Sequence, residues 1–136
     1  MTGAILVGVF GVAGALLRFA VDSWFAHRAV RPGPTDRRGG SRATPRHWPW
    51  ATLVVNATGC LIIGLSIGIT GKLGMAAEWQ TAVATGLAGG LTTFSSWTTA
   101  TVRLLSESRF GAAALNVGAN LAVGFAAAAV GLALAS

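Results

Sequence analysis

Uncharged polar residues occur at helical spacing inside two of the apolar segments of this chain. Thr52 and Asn56 are four residues apart, and Asn116, Asn120 and Gly124 repeat at the same interval. Residues four apart share one face of a helix, so each set predicts a polar stripe. Amides and hydroxyls donate hydrogen bonds that a small anion accepts. The stripes therefore indicate either an anion pathway or bonding between neighbouring helices, and the spacing alone leaves both interpretations open.

A third polar group interrupts the apolar segment 81–105. Its sequence, GGLTTFSSW over residues 89–97, places hydroxyl side chains on both sides of Phe94. These side chains belong to Thr92, Thr93, Ser95 and Ser96. In hydrocarbon every backbone N–H and C=O needs a partner, so glycines and hydroxyls at mid-depth predict a broken helix that faces protein or a polar pathway.

Composition indicates the class of protein. Of the 136 residues, 53% are hydrophobic and only 10% are charged, which is typical of an integral membrane protein. Four apolar segments approach the ~20 residues that cross a hydrocarbon core of about 30 Å. They cover residues 3–20, 50–70, 81–105 and 112–135. The sequence predicts an all-α membrane protein, one domain over residues 1–136, with four transmembrane helices of which the third is broken at mid-membrane.

A basic loop over about residues 24–48 joins the first two segments. It is rich in Arg, Pro and Gly, a composition typical of a solvated segment. No folded domain organises these charges, so nucleic acid is not predicted as a partner. Contact with anionic membrane lipid is favoured instead.

The positive charges also predict the orientation of the chain. With four spans, the first and third loops share one side of the membrane, and both termini share the other side with the second loop. Lys72 is the one cation assigned to the side of the termini. The opposite side carries Arg28, Arg31, Arg37, Arg38, Arg42, Arg46, Arg103 and Arg109. The positive-inside rule therefore predicts a multi-pass protein of the cell membrane with both termini outside.

Acidic residues, His and Lys are missing from the interior of the four segments. A proton-coupled carrier needs a titratable relay, and a small four-helix drug exporter normally needs a carboxylate in its first span, so both are disfavoured. No catalytic triad, carboxylate pair or metal-ligand cluster can be assembled, and no enzymatic activity is predicted. His27 and His47 lie in the basic loop, where solvation is the favoured interpretation.

Four motifs resemble those of the Fluc (CrcB-type) fluoride channel family, across nearly the whole chain. They are GVAGALLRF at 11–19, ATLVVNATG at 51–59, GGLTTFSSW at 89–97 and LNVGANL at 115–121. The third is the most specific, since it resembles the family's GGLTTFSTF in the broken helix. This resemblance implies a channel that exports fluoride passively and lowers its concentration in the cell.

By resemblance, the working unit is an antiparallel dimer with two fluoride pores, each lined by both subunits. The resemblance implies that Asn56 is an amide donor in the pore and that Phe94 and Trp97 form an aromatic pair. It implies that Asn116 and Asn120 form a polar track and that Arg18 lies at the aqueous vestibule. The remaining implied pore residues are Thr52, Ser95, Ser96 and Gly124. The family also holds a structural sodium ion at the dimer interface through backbone carbonyls, which corresponds here to Gly89 and Thr92.

Two positions depart from the family pattern. Trp97 stands where a second phenylalanine is usual, and Gly124 replaces a small hydroxyl residue. An indole at position 97 either narrows the implied pore or adds a hydrogen-bond donor to it, and a glycine at position 124 removes a side-chain donor. The charge asymmetry disfavours insertion of this chain in both orientations. Together with these departures, it suggests pairing with a homologous chain of opposite topology. A noncatalytic or half-active subunit of such a heterodimer is the alternative function.

Overall fold

The computed structural model describes residues 1–29 and 48–135. Every regular element in these ranges is helical. In chain order the elements are α1 (Thr2–Ala29), α2 (Trp50–Leu73), α3 (Ala77–Thr81), a π-helical segment (Ala82–Ala88), α4 (Gly89–Leu91), α5 (Phe94–Ser106) and α6 (Phe110–Ala135). Within the described ranges, α1, α2 and α6 are the helices long and apolar enough to cross a membrane. The expectation of an all-helical membrane protein is thereby confirmed.

The segment predicted as the third span is divided into shorter pieces. α3, the π-helical segment and α4 follow one another without a gap, and then Thr92 (ψ 159°) and Thr93 (φ −146°, ψ 117°) are extended before α5 begins. None of these pieces is among the candidate spans. Two peptide units between α4 and α5 therefore stand outside the helical hydrogen-bond ladder.

Helix α1 continues past the apolar segment that ends at residue 20. Residues 24–29, which we expected in the basic loop, form its last turns. The Arg28 guanidinium lies 3.9 Å from the centre of the Trp24 ring, a cation–π contact between residues one turn apart. The remaining loop arginines and His47, for which lipid contact and solvation were predicted, lie outside the described residues.

Glycines bring α2 and α6 together backbone to backbone. A Cβ added to Gly64 would overlap the carbonyl oxygen of Ala128, and one added to Gly131 would overlap that of Leu61. Small residues permit this approach between membrane helices, where packing replaces the hydrophobic effect as the source of association.

A second glycine contact joins α1 to the interrupted segment. Added Cβ atoms at Gly14 and Gly90 would overlap the carbonyl oxygens of Leu87 and Gly11 respectively. The contact holds the π-helical segment and α4 against α1. Gly8 differs from these positions, because nothing lies within 4 Å of its would-be Cβ.

A tight turn connects α5 to α6. Ser108 adopts φ 57°, the left-handed conformation that lets the chain reverse. Glu107 lies 3.8 Å from Arg103 and 3.3 Å from Arg109, so one carboxylate faces two arginines at this end of the protein. Such exposed pairs stabilise a fold by about 0–1 kcal/mol each.

We expect Gly131→Ala to destabilise the protein more than Gly118→Ala does. Both residues are on α6, but a Cβ at Gly131 would overlap α2 whereas nothing lies within 4 Å of one at Gly118. Overpacking costs about 1–3 kcal/mol, and Ala without a clash favours a helix over Gly by about 1 kcal/mol. Thermal unfolding in detergent, followed by circular dichroism, measures both effects. Equal melting temperatures would contradict the backbone contact.

Candidate functional site

Asn56 of α2 pairs with the interrupted backbone between α4 and α5. Its Oδ1 accepts a hydrogen bond from the Thr93 N–H at 2.8 Å, and its Nδ2 donates to the Thr93 carbonyl oxygen at 3.3 Å. Thr93 is buried, and a buried peptide group without partners costs about 1–3 kcal/mol per unmade bond. The Asn56 amide therefore replaces the helical partners that the extended conformation removes.

Three asparagines form a continuous chain of hydrogen bonds, which we call the amide network (Asn56, Asn116 and Asn120). Asn56 Nδ2 donates to Asn120 Oδ1 at 3.0 Å, and Asn120 Nδ2 donates to Asn116 Oδ1 at 3.2 Å and to the Asn116 backbone oxygen at 2.9 Å. Asn116 Nδ2 donates to Thr101 Oγ1 at 2.9 Å and to the Trp97 carbonyl at 3.4 Å. The network joins α2, α5 and α6.

Each amide nitrogen in the network has two protein acceptors. Asn116 is fully buried and Asn120 is 8% exposed, and burying an amide without compensating bonds costs roughly 2–7 kcal/mol. The bonds run head to tail from nitrogen to oxygen, an order in which each bond polarises the next. In this arrangement the amides donate to protein, so an ion would reach one of their N–H groups only by displacing a partner.

The aromatic pair predicted from the sequence is formed by adjacent turns of α5. The Phe94 and Trp97 rings meet edge to face, with centroids 5.5 Å apart and planes at 71°. Trp97 Nε1 donates to the Asn116 carbonyl oxygen at 3.2 Å, so the indole N–H links α5 to α6. Phe94 is 72% exposed on the single chain.

Hydroxyl groups cap the start of α5. Thr93 Oγ1 accepts from the Ser96 N–H at 3.1 Å, an N-cap interaction. The same hydroxyl donates to Ser96 Oγ at 3.0 Å and lies 3.3 Å from Ser95 Oγ. Ser95, Ser96 and the buried Thr52 of α2 line one cavity. Thr93 therefore connects this cavity to the amide network through its side chain and its backbone.

Among the described residues, no side-chain hydrogen bond joins the other predicted site residues to the amide network. Gly124 is buried on α6, where an added Cβ would be 3.3 Å from Cys60 Sγ, so the position is filled by packing. Gly89 begins α4 and Thr92 follows its last residue, and Thr92 Oγ1 donates to the Gly89 carbonyl at 3.4 Å. Arg18 is partly buried on α1.

Residues 1–29 and 48–135 contain no cluster of the side chains that most often bind metal ions. No group of three or more His, Cys, Asp or Glu in these ranges lies close enough to hold an ion.

Two members of the site were missed as site residues in the sequence. Thr93 was noted only within the hydroxyl run, although its backbone is the partner of Asn56. Thr101 accepts from Asn116 and donates to the Trp97 carbonyl at 2.8 Å. Its position four residues after Trp97 was a signal, since it places the hydroxyl on the same face of α5.

The fold and the site define an integral membrane protein, and the buried polar side chains of its described residues include uncharged amides and hydroxyls. A model of the family described as CrcB-like protein, Camphor Resistance (CrcB), matches residues 5–132. The chain belongs to this family.

Curated relatives cover nearly the whole chain. The fluoride-specific ion channel FluC of Renibacterium salmoninarum is 44% identical over 132 residues, which cover 97% of this chain and 98% of that protein. FluC 1 of Thermobifida fusca is 38% identical over 96% of this chain and 92% of its own length. FluC 1 of Symbiobacterium thermophilum is 35% identical over 96% and 94%.

We expect Trp97→Phe to lower the free energy of unfolding by about 0.6 kcal/mol and by at most about 1.7 kcal/mol, the average and the maximum measured for hydrogen bonds between membrane helices. The substitution keeps an aromatic ring beside Phe94 but removes the Nε1–H that donates to Asn116. The matched control is Trp79→Phe, since the Trp79 ring meets Phe10 edge to face at 6.4 Å, away from the network. Chemical denaturation in mixed micelles gives the comparison, and equal losses would argue against an interhelical role for the indole.

Proposed function

We propose that this chain is a subunit of a fluoride-specific ion channel, which exports fluoride passively across the cell membrane. The observation that carries the proposal is the near full-length similarity to proteins named fluoride-specific ion channels, at 44% identity in one case. The family assignment favours a channel over an enzyme and over a small drug exporter.

The chemistry of the interior supports a small anion as the permeating species. Amides and hydroxyls donate hydrogen bonds without carrying a charge, so they compensate part of the hydration that an ion loses. Conduction requires binding strong enough to admit the ion and weak enough to release it. A buried cation would hold fluoride too tightly. The segments 50–70 and 112–135 contain no charged residue, and the segment 81–105 contains only Arg103, near its end.

The interrupted segment is proposed as the third of four membrane crossings, with its break near mid-membrane. α3, the π-helical segment and α4 contain 5, 7 and 3 residues, and α5 contains 13. At 1.5 Å per residue, the two halves are each about 20 Å long. Their similar lengths support a break at half depth, the position at which discontinuous helices of transporters bind ions.

An antiparallel dimer is proposed as the working unit. Phe94 is 72% exposed on the single chain, yet it stands beside the buried Trp97–Asn116 contact. A second subunit covering this face would place the positive edge of the ring against a shared pathway, where it can meet an anion weakly. The position of Phe94 supports pores lined by both chains.

The proposed structural sodium site fits the backbone at the break. In a continuous helix the Thr93 N–H would donate to the Gly89 carbonyl and the Ser96 N–H to the Thr92 carbonyl. These N–H groups donate instead to Asn56 Oδ1 and Thr93 Oγ1. Both carbonyls thus lose their usual helical donors. Two such oxygens from each subunit of a two-fold dimer would supply an all-oxygen site, the chemistry by which unwound helices hold sodium.

We expect Phe94→Ile to reduce fluoride efflux at least tenfold, because an alkyl group lacks the positive ring edge. The assay is efflux from liposomes that contain only the purified chain, read with a fluoride electrode and with chloride as the comparison ion. Phe125→Ile is the control, since Phe125 is equally exposed but lies on α6. Selective efflux from the unaltered chain supports the channel, whereas no efflux from well-folded protein would favour a subunit that conducts only with a partner. Unchanged efflux in Phe94→Ile would contradict the pore role of this ring.

In cells, we expect the chain expressed alone to insert with both termini outside. Eight arginines on one side against Lys72 on the other give a strong orientation bias, so we propose a homologous partner of opposite topology as its native dimer partner. Solubilisation in detergent removes this constraint on orientation, so the purified chain can still form antiparallel pairs in the liposomes of the efflux assay. Terminal tags accessible on both membrane faces, together with fluoride resistance from this chain alone, would contradict the heterodimer.

A further inference from the structure

The last turns of α1 carry three side chains in contact, which we call the interfacial stack (Phe25, Trp24 and Arg28). The Phe25 and Trp24 rings meet edge to face, with centroids 4.9 Å apart and planes at 81°. The Arg28 guanidinium lies over the Trp24 ring, with its central carbon Cζ 3.9 Å from the ring centre. Trp24 itself is 49% exposed. The stack therefore fixes a cation at the exposed end of the helix.

The length of α1 places this stack at the surface of the hydrocarbon core. Gly14 packs against Leu87 and Leu91 of the interrupted segment, whose break is proposed at half depth. At 1.5 Å per residue, Trp24 lies about 15 Å and Arg28 about 21 Å along the helix axis from Gly14. Half of a hydrocarbon core measures about 15 Å, and half of a bilayer with its headgroups about 20–22 Å. The indole is therefore at the boundary of the core, and the guanidinium is at the level of the lipid phosphates.

The contact with Trp24 leaves the hydrogen-bonding edge of the Arg28 guanidinium open. A guanidinium has five N–H donors in its own plane, whereas stacking on an aromatic ring uses its face. In the described parts of the chain, Arg28 has neither a hydrogen bond nor a carboxylate within 4 Å. At the same end of the helices, Arg103 and Arg109 both lie beside Glu107. Arg28 therefore presents a preorganised set of donors to its surroundings.

We propose that the interfacial stack binds the phosphate group of an anionic phospholipid, of the class of phosphatidylglycerol, in the leaflet that faces this end of α1. The edge of the guanidinium matches two phosphate oxygens through parallel N–H···O bonds. The exposed part of the Trp24 ring lies beside the glycerol and the upper acyl chain, since an indole is apolar over most of its surface. The arginine-rich end of the chain is predicted to face the cytoplasm, where anionic lipids attract basic residues next to the membrane.

Two features favour a lipid over a soluble anion at this site. Trp24 offers an apolar surface at the boundary of the core, which an inorganic ion cannot cover. A phospholipid phosphate is already held at the depth of Arg28, whereas a soluble ion would have to leave bulk water. The carbonyl end of a helix carries partial negative charge and opposes any anion there, so the contact depends on the charge and the geometry of Arg28. The bound lipid holds the end of α1 at a fixed depth.

The first test measures which lipid lies beside Trp24. The full chain is reconstituted in brominated phosphatidylcholine, which quenches an adjacent indole, and either unbrominated phosphatidylglycerol or unbrominated phosphatidylcholine is mixed in as the competitor. The difference between this protein and its Trp24→Phe variant isolates the Trp24 signal. We expect phosphatidylglycerol to relieve the quenching with an about fivefold larger binding constant, the factor that corresponds to about 1 kcal/mol per arginine at an anionic surface.

Substitutions of arginine then assign the preference to one residue. Arg28→Gln should bring the ratio of the two binding constants close to 1, and Arg28→Lys should retain part of the preference, because lysine keeps the charge without the planar edge. Arg109→Gln is the matched control, since it removes the same charge at the same end of the helices but from a residue that pairs with Glu107 at 3.3 Å. An Arg28→Gln variant with the ratio of the unaltered chain would overturn the proposal.

The second test separates a lipid from a soluble anion. Thermal unfolding of the detergent-solubilised chain is followed with phosphatidylglycerol, with phosphatidylcholine of the same acyl chains, or with inorganic phosphate, each at the same phosphate concentration. We expect phosphatidylglycerol to raise the melting temperature most, and Arg28→Gln but not Arg109→Gln to remove most of that increase. An equal increase with inorganic phosphate would reject a lipid site, and an equal increase with phosphatidylcholine would reject anionic selectivity. Neither test measures fluoride efflux, so the lipid site and the proposed channel can fail separately.

Discussion

The rest of the site depends on the pairing of the Asn56 side chain with the backbone of Thr93. Two extended residues between α4 and α5 release peptide groups that a helix would otherwise satisfy, and hydrocarbon supplies no water to replace them. Asn56 binds both the N–H and the carbonyl of Thr93. Its remaining N–H reaches Asn120, so one amide holds the interrupted segment to α2 and α6. A leucine of similar size would leave three polar groups unpaired.

Close helix packing makes that pairing possible, because an asparagine side chain is short. The 3.0 Å bond between Asn56 and Asn120 spans two helices. It requires the backbone approach that Gly64 and Gly131 permit farther along the same pair of helices. Glycine therefore contributes to the polar site without touching it. A side chain at either position would separate α2 from α6 and lengthen the hydrogen bond between Asn56 and Asn120.

Much of this arrangement could be predicted from local patterns in the sequence. Apolar length indicates the membrane helices, and four-residue spacing places Asn116 and Asn120 on one face. The direction of each amide could not be predicted, because it depends on which acceptors other helices bring within 3 Å. Trp97 illustrates the limit: its indole N–H suggested a donor to an ion, but the carbonyl of Asn116 on α6 accepts it. Thr101 was missed although its spacing from Trp97 places it on the same face of α5, because its other partner, Asn116, lies on α6.

The separation of charged from uncharged donors follows from the dielectric environment of each. Two unit charges 4 Å apart attract by about 1 kcal/mol in water and by about 4 kcal/mol at an effective dielectric of 20. Arg103, whose side chain is half exposed, is in the first regime, where a guanidinium attracts an anion only weakly. The same guanidinium beside the fully buried Asn116 would be in the second regime and would hold an anion in place. Buried neutral amides do not retain an anion in this way, because each donates a hydrogen bond without a net charge. An ion that displaces a hydrogen-bond partner can therefore be displaced in turn.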